Sequence, residues 1–148
     1  MPRTAYLAVF TNGKKPAHWA LHFPTTNAQH MGKLIHVTGN PASGFFLEFK
    51  RSYDFDATER KYQLLSLAEV DENAVKDTPS LSGADTTARD RWETTALDVP
   101  PPGRSPNPFD PSARNCQHWM EDYVQELISG GLLPGSAMSV LQSAPRIL

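Results

Sequence analysis

Between residues 4 and 70 the chain repeats one pattern: a short apolar run rich in aromatic and β-branched residues, then a polar interruption. The runs are TAYLAVFT (4–11), AHWALHF (17–23), KLIHVTG (33–39), GFFLEFKR (44–51) and KYQLLSLAEV (61–70). Segments of this length and make-up, bounded by turn residues, read as strands, and their regular spacing predicts an antiparallel meander. Asn12-Gly13 is a good hairpin turn between the first two. Strand side chains alternate, so Ala17, Trp19, Leu21 and Phe23 share one face, suited to core packing, and His18, Ala20 and His22 share the other. Two imidazoles thus stand on one side of the sheet; the readings open to His22 are a place lining a cleft with His18 and a place facing solvent, and the second is expected.

The second half of the chain changes character. A helix is expected from about Thr86 to Leu97 with Asp85 as N-cap. The stretch from Pro100 to Asn115 holds six of the 13 prolines, so residues 99–114 are expected to form an irregular loop. A structureless loop of ~15 residues is uncommon in a compact domain and is often functional. A helix then runs from about Cys116 to Ser129, where Met120, Val124, Leu127 and Ile128 recur at helical spacing. Gly130-Gly131 supplies its stop. The fold expected is one α+β domain over residues 1–148, an antiparallel sheet of about four to six strands packed against the helix that starts at the cysteine.

Composition narrows the function. Apolar residues make up 39% and charged residues 20%, as in an ordinary globular chain. A net charge of −2 with no basic stripe argues against nucleic acid as a partner. The N-terminal apolar patch is about six residues long and nothing later reaches ~18, so neither a signal segment nor a stable membrane anchor is expected. One cysteine cannot make an internal disulfide, which points to a reducing, cytoplasmic setting or to a functional thiol.

Cys116 falls four residues before Met120, on the apolar face of the helix and in its first turn. Unpaired backbone N–H groups gather there, and the positive end of the helix dipole is expected to lower the thiol pKa. The same N–H groups suit a developing oxyanion. A nucleophile needs a base, and His18 and His36, each on a strand, are the candidates. The bland alternative is that Cys116 is a small buried hydrophobe.

The blocks HWALHF, LIHVTG and NCQHWMEDYVQELISGGLL together resemble the His-Trp-Ala, His and Asn-Cys-Glu-His-Phe signatures of the lecithin:retinol acyltransferase-like proteins. These form part of the circularly permuted branch of the NlpC-like, papain-related superfamily, in which the histidine strands precede the cysteine helix, as they do here. The resemblance covers about 45 residues. It implies a permuted papain-like fold with Cys116 as nucleophile, His18 as general base and His36 as an orienting residue, working without a cofactor. Gln117 stands where the family has glutamate, a proline-rich loop precedes the cysteine, and the membrane-anchoring tail of many members is missing. A diverged, soluble member is the description these features fit.

The chemistry expected is a covalent acyl-enzyme on an ester, thioester or amide, the substrate being a small-molecule, lipid or peptide acyl compound. Trp19, Asn115, Gln117 and Phe109 are the candidate substrate contacts, each beside the dyad in sequence or on the loop that leads into Cys116. Asn115 also reads as the helix N-cap, Gln117 as a solvated side chain, and His118 and Trp119 as structural. The alternatives are an amide or isopeptide peptidase of the permuted papain-like type and a binding module that keeps the fold without turnover. A metal site on His18, His36 and Cys116 is a rival of another class.

Overall fold

A computed structural model describes residues 3–25, 28–76, 85–110 and 112–148. Five strands come first: β1 (Arg3–Phe10), β2 (His18–Thr25), β3 (Ala28–Asn40), β4 (Gly44–Asp54) and β5 (Tyr62–Val70). They form one antiparallel sheet in the order β4-β3-β2-β1-β5. The first four make the expected meander, and β5 returns to the free edge of β1. A five-stranded antiparallel sheet with helices is the α+β class expected from the sequence.

Three helices follow, α1 (Arg91–Leu97), α2 (Cys116–Ser129) and α3 (Ser136–Ser143). All three bury on the face that carries Leu7, Val9, Trp19, Leu21, Phe23, Ile35 and Val37, making the main core. The opposite face holds a smaller cluster of Ala8, Phe10, Ala20, Leu34 and Phe55, with Tyr53 against it. β2 is therefore covered on both sides, and this corrects the reading of His22. Its ring is fully buried between Tyr6 and Phe55 rather than facing solvent, with Nδ1 3.3 Å from Lys33 O.

α1 starts later than expected. Its N-cap is Asp90, whose side chain accepts from Glu93 N–H, and not Asp85. Asp85 is used elsewhere: it accepts from Arg51 Nε at 2.7 Å. Arg51 also donates to Glu93 (2.5 Å) and Thr87 O (2.6 Å), and Lys33 reaches Asp90 and Glu93. This buried set of two cations and three carboxylates fastens α1 to β3 and β4. Such clusters lose heavily when one member is removed, because a charge is left buried without a partner.

α2 forms where the apolar stripe demanded it. Cys116, Trp119, Met120, Tyr123, Val124 and Leu127 are buried, and Asn115 caps the start with its side chain accepting from Gln117 N–H. His118 completes the cap by accepting from Asn115 N–H at 3.0 Å, the structural role expected of it. Gly131, with φ 79°, ends the helix in the left-handed conformation that suits glycine. The described part of the 99–114 loop has no regular structure. It lies against the β3–β4 turn, Phe45 N–H donating to Pro102 O and Ser105 N–H to Pro41 O. Among the described residues, no helix is long and apolar enough to cross a membrane.

Candidate functional site

β2 and β3 carry His18 and His36 on the same face, and the two rings meet, His18 Nε2 lying 2.7 Å from His36 Nδ1. β4 adds a third member. The β3–β4 register runs unbroken from Asn40↔Gly44 to His36↔Glu48, so Glu48 stands beside His36 and its Oε1 is 2.9 Å from His36 Nε2. Glu48 was not expected from the sequence. The signal was available in the hairpin, since the turn at residues 41–43 fixes which β4 residue faces His36.

The row His18–His36–Glu48 fixes its own protons. A carboxylate only accepts, so His36 carries its proton on Nε2. A neutral His36 then offers Nδ1 as acceptor, His18 donates from Nε2, and His18 Nδ1 is left bare. This assignment requires neutral rings. Burial pulls His18 down to about 3, with the charges of His36, Arg60 and Lys50 adding to the effect. Burial also lowers His36, opposed by Glu48. Glu48 itself is held below the usual carboxylate range, chiefly by the His36 hydrogen bond.

The thiol approaches this row along the β2 backbone. β3 pairs with β2 from Thr25↔Ala28 only as far as Leu21↔Ile35. Beyond that point the first turn of α2 takes up the β2 backbone. The Cys116 thiol lies 3.6 Å from Ala17 O, and the Trp19 N–H favours its thiolate form. These two groups flank His18 in the chain, so the sulfur sits against the backbone that carries the base. Among the described residues its hydrogen-bond acceptor is this carbonyl and not an imidazole.

The expected lowering of the thiol pKa is reversed. Burial pushes Cys116 up, and this outweighs the N–H groups of Trp19, Cys116 and Gln117 that favour the thiolate. The helix dipole acts in the expected direction, but desolvation of the buried sulfur is larger.

The side chains expected to touch substrate are placed as follows. Trp19 is fully buried, its Nε1 donating to Pro145 O at 3.1 Å beneath the Arg146 guanidinium, so it belongs to the core. Gln117 is buried rather than solvated, and its Nε2 ties Ala17 O (3.0 Å) to Arg146 O (2.9 Å). Asn115 is engaged in capping. Phe109 is 93% exposed and does not line the cleft beside the histidines. The metal reading finds no support in the geometry. Among the described residues, the trio whose ligand atoms converge within 4.8 Å is His30, Asp54 and Asp56, at the surface.

That cleft, of about 430 Å³, opens on the face away from the helices. Phe10, Leu34 and Tyr53 form its apolar wall, with His18, His36, Glu48, Lys50 and Arg60 facing into it. Arg60 donates to Thr11 O at 2.5 Å and lies over the Phe10 ring at 5.4 Å. Its field depresses His18, His36 and Cys116 alike, so one cation is common to all three.

The model of the DUF6540 family, a family of unknown function, matches residues 5–134, and the chain belongs to that family. No curated protein and no solved structure matches the chain. The matched span includes His18, His36, Glu48, Arg60 and Cys116 and stops short of α3.

Proposed function

We propose that the protein is a cysteine-dependent hydrolase or acyltransferase of the permuted papain-like type. Cys116 is the nucleophile, His18 the base, and His36 and Glu48 the residues that orient it. The observation that carries the reading is the row His18–His36–Glu48. It leaves His18 Nδ1 as a bare base on the strand whose backbone holds the Cys116 sulfur. A histidine row of fixed tautomer, ending in a carboxylate and opening on a cleft, is what proton transfer to and from a thiol requires.

In the reaction the thiol proton passes to His18 Nδ1 as sulfur bonds to the carbonyl carbon. The Cys116 N–H lies beside the sulfur, where charge develops on the carbonyl oxygen, whereas the Gln117 N–H is held by the Asn115 cap. The imidazolium then returns its proton to the leaving alcohol, thiol or amine as that bond breaks. Water or a second acceptor next gives a proton to His18, attacks the thioester and frees the thiol. Amide and isopeptide cleavage would use the same residues.

The test is incubation with p-nitrophenyl acetate, followed by intact-mass analysis and p-nitrophenol release. An acetyl adduct on Cys116, formed in wild type and lost in both Cys116→Ser and His18→Ala, supports the reading. A second reading, a binding module that keeps the fold, is favoured by the thiol's burial and its bond to Ala17 O. Absence of an adduct in wild type, together with thiol alkylation unaffected by His18→Ala, would decide for the module.

A further inference from the structure

The proposed chemistry does not use the two cations of the cleft. Arg60 is anchored by a carbonyl, Thr11 O, and by the Phe10 ring rather than by an acid. Among the described residues no carboxylate pairs with it. Lys50 lies 3.8 Å from Glu48, but that carboxylate is already engaged by His36 at 2.9 Å. Both imidazoles are neutral at physiological pH, for the reasons of burial given above. Arg60 and Lys50 against Glu48 leave the cleft with one positive charge in surplus, in a chain whose net charge is −2.

Standing surplus charge of this kind favours the thiolate but disfavours the imidazolium beside it. It opposes the imidazolium that must form on His18, and it is retained here with no acid of the protein to offset it. A ligand anion would cancel it. The surplus is a single charge, which matches a carboxylate better than a dianionic phosphate. The fork of Arg60 still has N–H groups beyond those given to Thr11 O, and a guanidinium fork matches a carboxylate in shape. The aromatic wall of Phe10 and Tyr53 would cover an acyl or aryl body of metabolite size.

We propose that the cleft binds a small monoanionic acyl compound whose free carboxylate lies at Arg60, with Lys50 assisting, and whose carbonyl lies towards His18. Arg60 is then the residue that selects the substrate class. The position of the carbonyl rests on the covalent reading above; the carboxylate site does not, and binding tests it without turnover.

The experiment is calorimetric titration at low ionic strength with hippurate, which carries an amide and a carboxylate, and with neutral hippuramide. Both are titrated into Cys116→Ser protein so that no ligand is consumed. Arg60→Gln, Arg60→Lys and Lys14→Gln are made in that background; Lys14 is exposed, lies outside the cleft, and changes net charge by the same amount. Hippurate is expected to bind more tightly than hippuramide, to weaken about tenfold or more in Arg60→Gln and less in Arg60→Lys, and to be unchanged in Lys14→Gln. Equal affinity for the acid and the amide overturns the proposal, as does equal loss in Arg60→Gln and Lys14→Gln, or hippurate binding that survives Arg60→Gln. Arg60-dependent binding in a protein whose wild type forms no acyl adduct would overturn the covalent reading and leave the carboxylate site standing.

Discussion

Glu48→Gln isolates the least obvious member of the row, because Glu48 touches neither the thiol nor the base. In wild type its carboxylate accepts from His36 Nε2 at 2.9 Å and so dictates the tautomers of two rings. A glutamine can accept at that place or donate, and no longer dictates either. Hydrogen bonds to a charged group are worth about 1.5–3 kcal/mol. The Glu48 side chain is 23% exposed and Lys50 lies 3.8 Å away, both of which weaken it. The lower half of that range applies, and about 1.5–2 kcal/mol corresponds to a rate loss of roughly 10- to 30-fold. The assay is the second-order rate of Cys116 alkylation by iodoacetamide at pH 7, measured for wild type, Glu48→Gln and His18→Ala. Long-range ¹H–¹⁵N spectra of the imidazoles supply a readout that packing alone would not move, since the tautomer of His36 should become mixed. A Glu48→Gln rate within twofold of wild type, with His18→Ala strongly impaired, would refute the orienting role and leave Glu48 as a surface partner of Lys50.

Stability should fall on acidification from about pH 6.5. His18 and His22 are pulled down to about 3 and about 4 and His36 is also lowered, so the unfolded chain binds more protons than the folded one across that window. Each ring then contributes a slope of up to about 1.4 kcal/mol per pH unit, seen as a falling urea midpoint; a midpoint flat from pH 6.5 to 5 would show that the rings titrate normally. Arg51→Met should cost about 3–5 kcal/mol in urea unfolding, because Asp85 and Glu93 lose their shared partner inside the protein; a loss under 1 kcal/mol would mean that water replaces the guanidinium. Gly32→Ala should be among the most damaging small substitutions. Its Cβ would lie 2.1 Å from Phe23 O and 2.8 Å from the His22 ring, so β2 and β3 must separate at their bulge; a soluble variant with an unchanged thermal midpoint would contradict that contact.

What the sequence revealed follows the range of each signal. Alternation and helical spacing are local, and they located all five strands, the cysteine helix, its Asn115 cap and its glycine stop. The two histidines on one face were also legible, because a strand's parity is fixed by its own residues. Burial is not local. His22 reads as solvent-facing because nothing in HWALHF announces that Phe55, from the turn after β4, folds over it. Asp85 looked like a cap because it precedes a helical run, yet Arg51, 34 positions away, claims its carboxylate. Glu48 and Arg60 needed the sheet register and the cleft wall before either could be seen beside His36. The helix that carries the thiol is legible in the sequence, whereas the thiol's ionisation is governed by the strand and core packed around it.

That reversal bears on how the thiol and the base would work together. With His18 titrating at about 3, pH 7 lies four pH units above it, and charging that ring alone costs about 5 kcal/mol. The thiolate is also disfavoured by burial, so a resting thiolate–imidazolium pair is not the state of this fold. The two charges need not form separately, however. Moving one proton from sulfur to His18 creates both at once. Opposite charges formed side by side attract each other, and that attraction offsets part of the cost of forming them. Part of the cost of charging His18 is thereby returned at the moment of attack, and Arg60, which opposes the imidazolium, favours the thiolate formed with it. The resting protein therefore holds a neutral thiol and a neutral base, and the ion pair belongs to the reaction. The pH profile carries the consequence. Alkylation of wild type should hold a plateau well below pH 6.5, falling only where His18 takes up its proton, and rise again above the thiol's ordinary range. His18→Ala should keep the alkaline rise alone. A wild-type profile that shows only the alkaline rise would mean that sulfur and imidazole never exchange a proton.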